Sequence, residues 1–161
     1  MLHIINILVD NQFGVLSRIS GLFSARGYNI ESLCVGITED PTISRMTVVV
    51  EGDDKIVEQI TNQLNKVIEV IEVNDLTKDS HVERELVMVR LNTDAKRRSQ
   101  LLEVVNIFRA KVVDVSPDAL IIEATGSIDK ITAFIDMIRP YGIEKLARSG
   151  RIALARTTNG K

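Results

Sequence analysis

The sequence contains no tryptophan, and aromatic residues make up only 4% of its 161 positions. Its core must therefore be built from isoleucine, valine and leucine. Cys34 is the only cysteine, which excludes a disulfide within the chain and favours a small core side chain, because a catalytic thiol needs an activating neighbour. The two histidines, His3 and His81, are far apart and lack the spacing of metal ligands, so we predict no metal site.

Signals for membrane insertion and secretion are also lacking. No apolar run reaches the length of a membrane span, and the first residues do not show a basic segment followed by an apolar one. The chain is 45% hydrophobic, so it can bury a core and is not disordered. These features predict a folded cytoplasmic protein with no membrane contact.

Recognisable catalytic groupings are missing as well. The sequence has no Ser/His/Asp or Cys/His grouping and no phosphate loop of the Gly-x-x-x-x-Gly-Lys type, so we predict no catalytic residue. Arg97-Arg98 is a short basic cluster that we interpret as solvent-exposed. The net charge of −2 argues against nucleic-acid binding. Residues 1–75 carry a net charge of −6 and residues 76–161 of +4, which suggests two modules with different partners.

Strand and helix patterns alternate through the first half of the chain. Residues 14–26 place their apolar side chains on one helical stripe, and Gly27 supplies a stop. The turn Glu39-Asp40-Pro41-Thr42 joins two β-rich runs into a hairpin, and Gly52-Asp53-Asp54 opens a second helix. The predicted strands of this half are residues 2–9, 29–38, 43–51 and 67–73.

The resulting β-α-β-β-α-β order predicts a four-stranded antiparallel sheet with two helices on one face, the ferredoxin-like arrangement. We therefore predict an α+β protein with two ferredoxin-like βαββαβ modules, residues 1–76 and 85–161, joined by a linker at 77–84. Uncovered apolar groups on the first sheet predict an oligomer, and we expect the end of the chain, from about Thr157, to be frayed. The second module repeats the order with strands at 85–91, 111–115 and 120–125, helices at 94–109 and 127–139, and an extended stretch from Gly142.

The turn from Asn11 to Gly14 ends the first strand and begins the first helix. A helix start offers unpaired N–H groups and the positive end of a dipole, so the N–H groups near Gly14 to Leu16 are a candidate site for the carboxylate of an amino acid. The Asn11 amide can accept a hydrogen bond from the ammonium group, and Asn29 can contact the same ligand or one bound by a neighbouring copy. On spacing alone, an ordinary strand-to-helix turn is the simpler explanation.

A longer set of motifs spans almost the whole chain. It runs from Asn11 through Gly14-Val-Leu-Ser-Arg18 to Phe23, and then through Arg26-Gly-Tyr-Asn-Ile-Glu-Ser-Leu33. Further segments are Asp40-Pro41, Ser44-Arg-Met-Thr47, Val82-Glu-Arg-Glu85, Ile107-Phe-Arg109, Asp114-Val115 and Ala147-Arg-Ser-Gly150. Together these motifs resemble, in the same order, the small subunits of acetohydroxyacid synthase (acetolactate synthase), which begin with an ACT domain.

The resemblance implies an N-terminal ACT domain, a second ferredoxin-like module and a regulatory role. Family members bind the catalytic large subunit, raise its activity and confer feedback inhibition by valine or another branched-chain amino acid. The thiamine diphosphate, magnesium and FAD of the reaction belong to that large subunit. The resemblance also implies a homodimer through the ACT domains, with valine between Asn11, Gly14, Val15 and Leu16 of one chain and Asn29 and Ile30 of the other. Apolar side chains such as those of Val15, Leu16, Ile30 or Val35 would hold the isopropyl group.

Three alternatives compete with this interpretation. The chain would also suit a stand-alone, amino-acid-binding ACT regulator of another enzyme. An RNA-recognition module shares the βαββαβ order but needs aromatic residues and a basic face on its central strands, where this chain has Ile, Val, Met and Thr. A small acylphosphatase-like enzyme needs an arginine in an anion-binding loop, whereas Arg18 lies a full turn into the predicted helix. The regulatory interpretation is therefore favoured.

Overall fold

The computed structural model describes residues 1–157, and they form two compact units. The first unit comprises Met1–Val82 together with the C-terminal residues from Arg151, and the second comprises Glu83–Gly150. In each unit two α-helices pack on an antiparallel sheet, which confirms the predicted α+β class and the two βαββαβ modules. None of the described helices is long and apolar enough to cross a membrane.

The first unit has a sheet of order β2-β3-β1-β4. Strands β1 and β3 are central and pair antiparallel from Leu2 opposite Glu51 to Asp10 opposite Ile43. Strand β2 therefore lies at one edge of the sheet and β4 at the other. The elements are β1 (Leu2–Asp10), α1 (Val15–Ser24), β2 (Ile30–Ile37), β3 (Ile43–Glu51), α2 (Asp54–Leu64) and β4 (Val70–Asp75).

The helices of the first unit form where apolar residues recur at three- and four-residue spacing. Their buried stripes cover the alternate residues of β1 that point to the same side. Full burial of one such aliphatic or aromatic side chain contributes about 1.5–3 kcal/mol. The buried residues are Val15, Ile19 and Phe23 in α1, Val57, Ile60 and Leu64 in α2, and Ile5, Ile7 and Val9 in β1.

The second unit repeats the pattern with a sheet of order β6-β7-β5-β8. Alternate residues of its central strand, Val87, Val89 and Leu91, are fully buried under the two helices. Phe108 and Phe134 meet edge to face in this core, with ring centroids 5.5 Å apart. The elements are β5 (His81–Asn92), α3 (Ala95–Ile107), β6 (Lys111–Val115), β7 (Ala119–Gly126), α4 (Ile128–Ile138) with a 3-10 turn at Arg139–Tyr141, and β8 (Ile143–Arg148).

A short C-terminal strand, β9 (Ile152–Ala155), covers the helix-free face of the first sheet. Its inward residue, Ala153, is only 1% exposed and packs against Ile4, Val49 and Leu76. The small side chain allows the β9 backbone to approach the sheet closely. The chain therefore returns to its first unit after completing the second.

Strand β9 pairs with β5, and two buried polar side chains also hold it in place. The Nδ2 group of Asn6 donates to the Ala153 carbonyl oxygen (2.7 Å), and the Ala153 N–H donates to Oγ1 of Thr47 (3.4 Å). Asn6 and Thr47 lie opposite each other on the two central strands. The Asn6 Oδ1 atom also accepts from Nη1 of Arg45 at 2.6 Å. Because a buried polar group without a partner is costly, these contacts explain why polar residues are tolerated at the centre of the sheet.

The observed division of the chain differs from the predicted one at both ends of the second module. Strand β5 begins at His81, inside the predicted linker 77–84, because polar side chains do not prevent strand pairing at partly exposed positions. Residues from Arg151 onward, predicted to belong to the second module, join the first unit through Ala153. The expected fraying from about Thr157 lies almost entirely outside the described residues.

We predict that Ala153→Leu destabilises the first unit by about 1–3 kcal/mol, because the added methylenes have no space between β9 and the sheet. Ala155→Leu is the matched control, since Ala155 is exposed on the same strand, and we expect its effect to stay within about 0.5 kcal/mol. Urea unfolding followed by circular dichroism measures both. Equal stability of the two variants would contradict the close packing of Ala153.

Candidate functional site

The turn between β1 and α1 is anchored to the hairpin that joins β2 and β3. The Asn11 N–H donates to the Thr42 carbonyl oxygen (2.7 Å), and the Asn11 Nδ2 group donates to the Pro41 carbonyl oxygen (3.0 Å). One of the two donors of the Asn11 side-chain amide is thus used within the chain itself. Its acceptor, Oδ1, has no protein partner among the described residues and remains available to an ammonium group.

The hairpin that receives Asn11 is itself ordered by Asp40. One carboxylate oxygen of Asp40 accepts from the Thr42 N–H (2.9 Å) and from the Thr42 hydroxyl (2.7 Å). These hydrogen bonds, with the hydroxyl contributing most, lower the pKa of Asp40 below its ordinary value. The carboxylate therefore stays ionised at neutral pH, and the turn presents the carbonyl oxygens of Pro41 and Thr42 to Asn11.

Gly14 opens α1 with a left-handed backbone, at φ 83°. This conformation is easy for glycine and strained for other residues. No side chain caps the helix start. Among the described residues, the amides of Leu16 and Ser17 have no acceptor, whereas the Val15 N–H makes a long contact of 3.4 Å to the Gln12 carbonyl oxygen. The free donors of this helix start are therefore those of Leu16 and Ser17.

The other α-helices in residues 1–157 all begin with a side-chain cap. Each cap supplies an oxygen to an amide in the first turn and so removes one unpaired donor. The uncapped start of α1 thus keeps donors that the other helices satisfy internally. The caps are Asp53 on the Ile56 N–H (2.8 Å), Asp94 on the Arg97 N–H (2.8 Å) and Ser127 on the Lys130 N–H (3.5 Å).

The predicted apolar contacts divide into buried and accessible ones. The Val15 side chain is 3% exposed and belongs to the core, so in the single chain it offers no free surface to a ligand's isopropyl group. It faces inward because it begins the buried stripe of α1. Leu16 points the other way and is 45% exposed. Ile30 is half-buried against the core, and Val35 is exposed on β2.

Asn29 and Asn11 lie at opposite ends of the first sheet. Strand β2 pairs antiparallel with β3, so Ile30 lies opposite Val50, whereas Asp10 lies opposite Ile43 at the other end of β3. From Val50 to Ile43 is about 23 Å at roughly 3.3 Å per residue. One chain therefore brings together Asn11, Gly14 and Leu16, but not Asn29 and Ile30.

Sequence reasoning missed two features beside the turn. The Arg18 guanidinium, on the exposed side of α1, forms an ion pair with Glu69. Phe13 is fully exposed between Gln12 and Gly14. Its position two residues before Val15, where the buried stripe of α1 begins, was the only available signal. Within residues 1–157, no group of three His, Cys, Asp or Glu residues could hold a metal ion.

We predict opposite effects for two glycine-to-alanine changes in this segment. Gly14→Ala should lower the free energy of unfolding by about 1–2 kcal/mol. Open space surrounds the new methyl group, so the loss comes only from the strain of the left-handed backbone. Gly21→Ala lies within α1 and also in open space. It should raise the free energy of unfolding by as much as about 1 kcal/mol, because alanine has a higher helix propensity than glycine. Chemical denaturation measures the pair, and a Gly14→Ala variant as stable as Gly21→Ala would contradict the left-handed turn.

Comparisons with known proteins agree over the full length of the chain. Residues 5–72 match the family model described as the AHAS small subunit-like ACT domain, and residues 84–157 match that of the small subunit of acetolactate synthase. A probable acetolactate synthase small subunit of Archaeoglobus fulgidus is 56% identical over 97% of this chain and 98% of its own length. The acetolactate synthase small subunit of Mycolicibacterium smegmatis is 49% identical over 98% of this chain and 93% of its own.

A solved structure supports the same relationship. The crystal structure of the acetolactate synthase small subunit from Thermotoga maritima aligns with a TM-score of 0.90 and 38% identity, covering 98% of this chain and 99% of that one. The fold, both sequence models and the relatives therefore lead to one assignment. This chain belongs to the family of acetolactate synthase small subunits and carries the ACT domain of that family in its first unit.

Proposed function

We propose that the chain activates the catalytic large subunit of acetolactate synthase and confers feedback inhibition by valine. A small subunit implies such a large subunit as its partner. The observation that carries the effector proposal is the uncapped start of α1 beside the free acceptor of Asn11. In this proposal the chain contributes no catalytic residue, and the large subunit holds the thiamine diphosphate, magnesium and FAD. We also propose that it works in the cytoplasm, where a free thiol such as that of Cys34 is stable.

The two polar ends of valine match the two kinds of group at the turn. The carboxylate would accept hydrogen bonds from the amides of Leu16 and Ser17 at the positive end of the helix dipole. The ammonium group would donate to Oδ1 of Asn11. Leu16 offers exposed apolar surface for the isopropyl group. Binding in the micromolar to millimolar range needs about 4–8 kcal/mol, which a few charge-assisted hydrogen bonds and one buried isopropyl group supply.

A homodimer formed through strand β2 would complete this site. β2 is an edge strand, and its exposed Val35 and Ile37 favour pairing with a second copy. In an antiparallel pair, the Ile30 end of one β2 lies beside the Ile37 end of the other. Because Ile37 pairs near Ser44, at the same end of the sheet as Asn11, this arrangement carries Asn29 of the second copy toward Asn11.

A shared site also gives a physical route for regulation. A ligand held by two chains stabilises one arrangement of the dimer over others, and a large subunit that binds one arrangement better responds to that shift. A coupling free energy of about 1–3 kcal/mol changes affinity roughly five- to 150-fold. Modest contacts therefore suffice for feedback control, and no catalytic group is required in this chain.

We predict that the isolated chain binds L-valine but not D-valine in isothermal titration calorimetry. Asn11→Ala and Asn29→Ala should each weaken binding by about 1.5–3 kcal/mol, at least tenfold, because each removes a hydrogen bond to a charged group. Asn62→Ala, an exposed asparagine on α2, is the control and should bind as the wild type does. Absence of heat with every branched-chain amino acid would refute the effector proposal.

Mixing the two defective chains tests whether the site is shared. A heterodimer of Asn11→Ala and Asn29→Ala chains has one site with both defects and one with neither, because each site takes one residue from each copy. Random mixing should therefore restore about one quarter of the wild-type sites, measured as titration stoichiometry at wild-type affinity. Mixtures with no recovered high-affinity sites would contradict a site shared between copies.

A further inference from the structure

The second sheet carries a groove on the face away from its helices. Helices α3 and α4 pack on the side of β5 that bears Val87 and Leu91, so the alternate residues Met88 and Arg90 face the other side. The groove there has a volume of about 600 Å³, which lies within the range of small-molecule binding sites. We call it the second-sheet groove. It is lined by Met88, Arg90, Ile121, Lys145, Leu146 and Ala147.

The apolar part of the second-sheet groove is entirely aliphatic. Met88 is 45% exposed and Leu146 is 39% exposed. The strand register places Ala147 of β8 opposite Met88, and Ile121 of β7 opposite Arg90. A methionine adapts its shape to what it contacts. This surface therefore suits the alkyl body of a ligand.

Two positive charges face each other beside this aliphatic surface. Arg90 and Lys145 are register partners on β5 and β8, so their side chains leave the same face with Cβ atoms about 5 Å apart. Like charges in this position destabilise a sheet. The neighbouring strands show the opposite arrangement, because Lys111 of β6 lies opposite the acidic Glu123 of β7.

The chain compensates these two cations only in part. The Nε atom of Arg90 forms an ion pair with the Glu144 carboxylate at 2.8 Å. Within the described part of the chain, Arg90 has no other polar partner and Lys145 has none. None of the six lining residues is acidic. The groove therefore combines an aliphatic surface with a positive charge that lacks a counterion.

We propose that the second-sheet groove binds an aliphatic carboxylate, with the carboxylate between Arg90 and Lys145 and the alkyl body on Met88 and Ile121. Hydrogen bonds from a guanidinium or ammonium group to a carboxylate are the strong ones, and an anion here relieves the repulsion between the two cations. A free amino acid fits less well, because its ammonium group would meet two cations and no acidic side chain. This site is thus distinct from the turn at Asn11 and does not depend on the valine proposal.

Binding is tested with the full chain labelled at its methionine methyl groups with carbon-13, since the four methionines give separate signals and Met88 lies in the groove. Octanoate and 3-methyl-2-oxobutanoate represent the two sources of this chemistry, fatty acids and short branched 2-oxo acids. Octylamine carries the same alkyl body as octanoate with a positive charge. We expect a saturable shift of the Met88 signal with at least one carboxylate and none with octylamine. The carboxylate with the lower dissociation constant identifies the source.

Two substitutions with matched controls separate binding from folding. Lys145→Gln should weaken binding of the tighter carboxylate about tenfold and leave the urea midpoint unchanged or higher, because it removes a like-charge pair. Met88→Gln should weaken binding about fourfold in calorimetry through lost apolar contact. Lys96→Gln and Met137→Gln replace an exposed lysine and an exposed methionine outside the groove, and both should bind as the wild type does.

Several outcomes would overturn the proposal. One is a Met88 signal that moves with neither carboxylate, and another is an equal shift with octylamine, which would indicate a nonspecific apolar surface. Wild-type affinity of Lys145→Gln would also refute it. A Lys145→Gln variant that loses stability together with binding would do the same, because disturbed folding would then account for the loss.

Discussion

The antiparallel pairing of β1 with β3 determines where every functional group of the first unit lies. It sets Asp10 opposite Ile43, so that Asn11 meets the carbonyl oxygens of the following hairpin. The same register sets Asn6 opposite Thr47, where both reach the backbone of Ala153. A slip of one residue would turn each of these side chains to the other face and bring the buried valines and isoleucines into water.

The length of this pairing also explains why the proposed effector site would need two chains. The strands separate Asn11 from Asn29 by most of the sheet, and neither helix brings the two asparagines together. An edge strand with exposed apolar residues provides the means to join them, because antiparallel association reverses one copy relative to the other. In the proposed dimer, subunit association and ligand binding would depend on the same strand, so a change in one would alter the other.

Much of the fold could be predicted because local patterns agree with the tertiary structure. The apolar stripes defined all four α-helices, and Asp53, Asp94 and Ser127 lie where helix starts require a capping oxygen. The Asn11–Gly14 turn could be identified because a strand end, a glycine and a helix stripe follow one another. The burial of Val15 and the separation of Asn29 from Asn11 could not, because they depend on helix orientation and strand register.

Other features depend on contacts between residues far apart in sequence. Nothing local to residues 152–155 shows that Ala153 lies on a sheet formed more than a hundred residues earlier. The exposure of Phe13 is similar, since an aromatic residue beside an amphipathic helix is more often buried. The family motifs include the turn that contains Phe13 but end at Gly150, before Ala153, and they give no contacts for either region.

The return of the chain to its first unit has a consequence for synthesis on the ribosome. The first sheet is translated long before Ala153, so its helix-free face stays uncovered while residues 83–150 are synthesised. At roughly 5–20 residues per second this takes about 3–14 s. During that time Ile4 and Val49 lack their cover, and the Asn6 amide and Thr47 hydroxyl lack the backbone groups that they bind. The second unit therefore emerges before the first can be completed, and translation order and folding order differ in this protein.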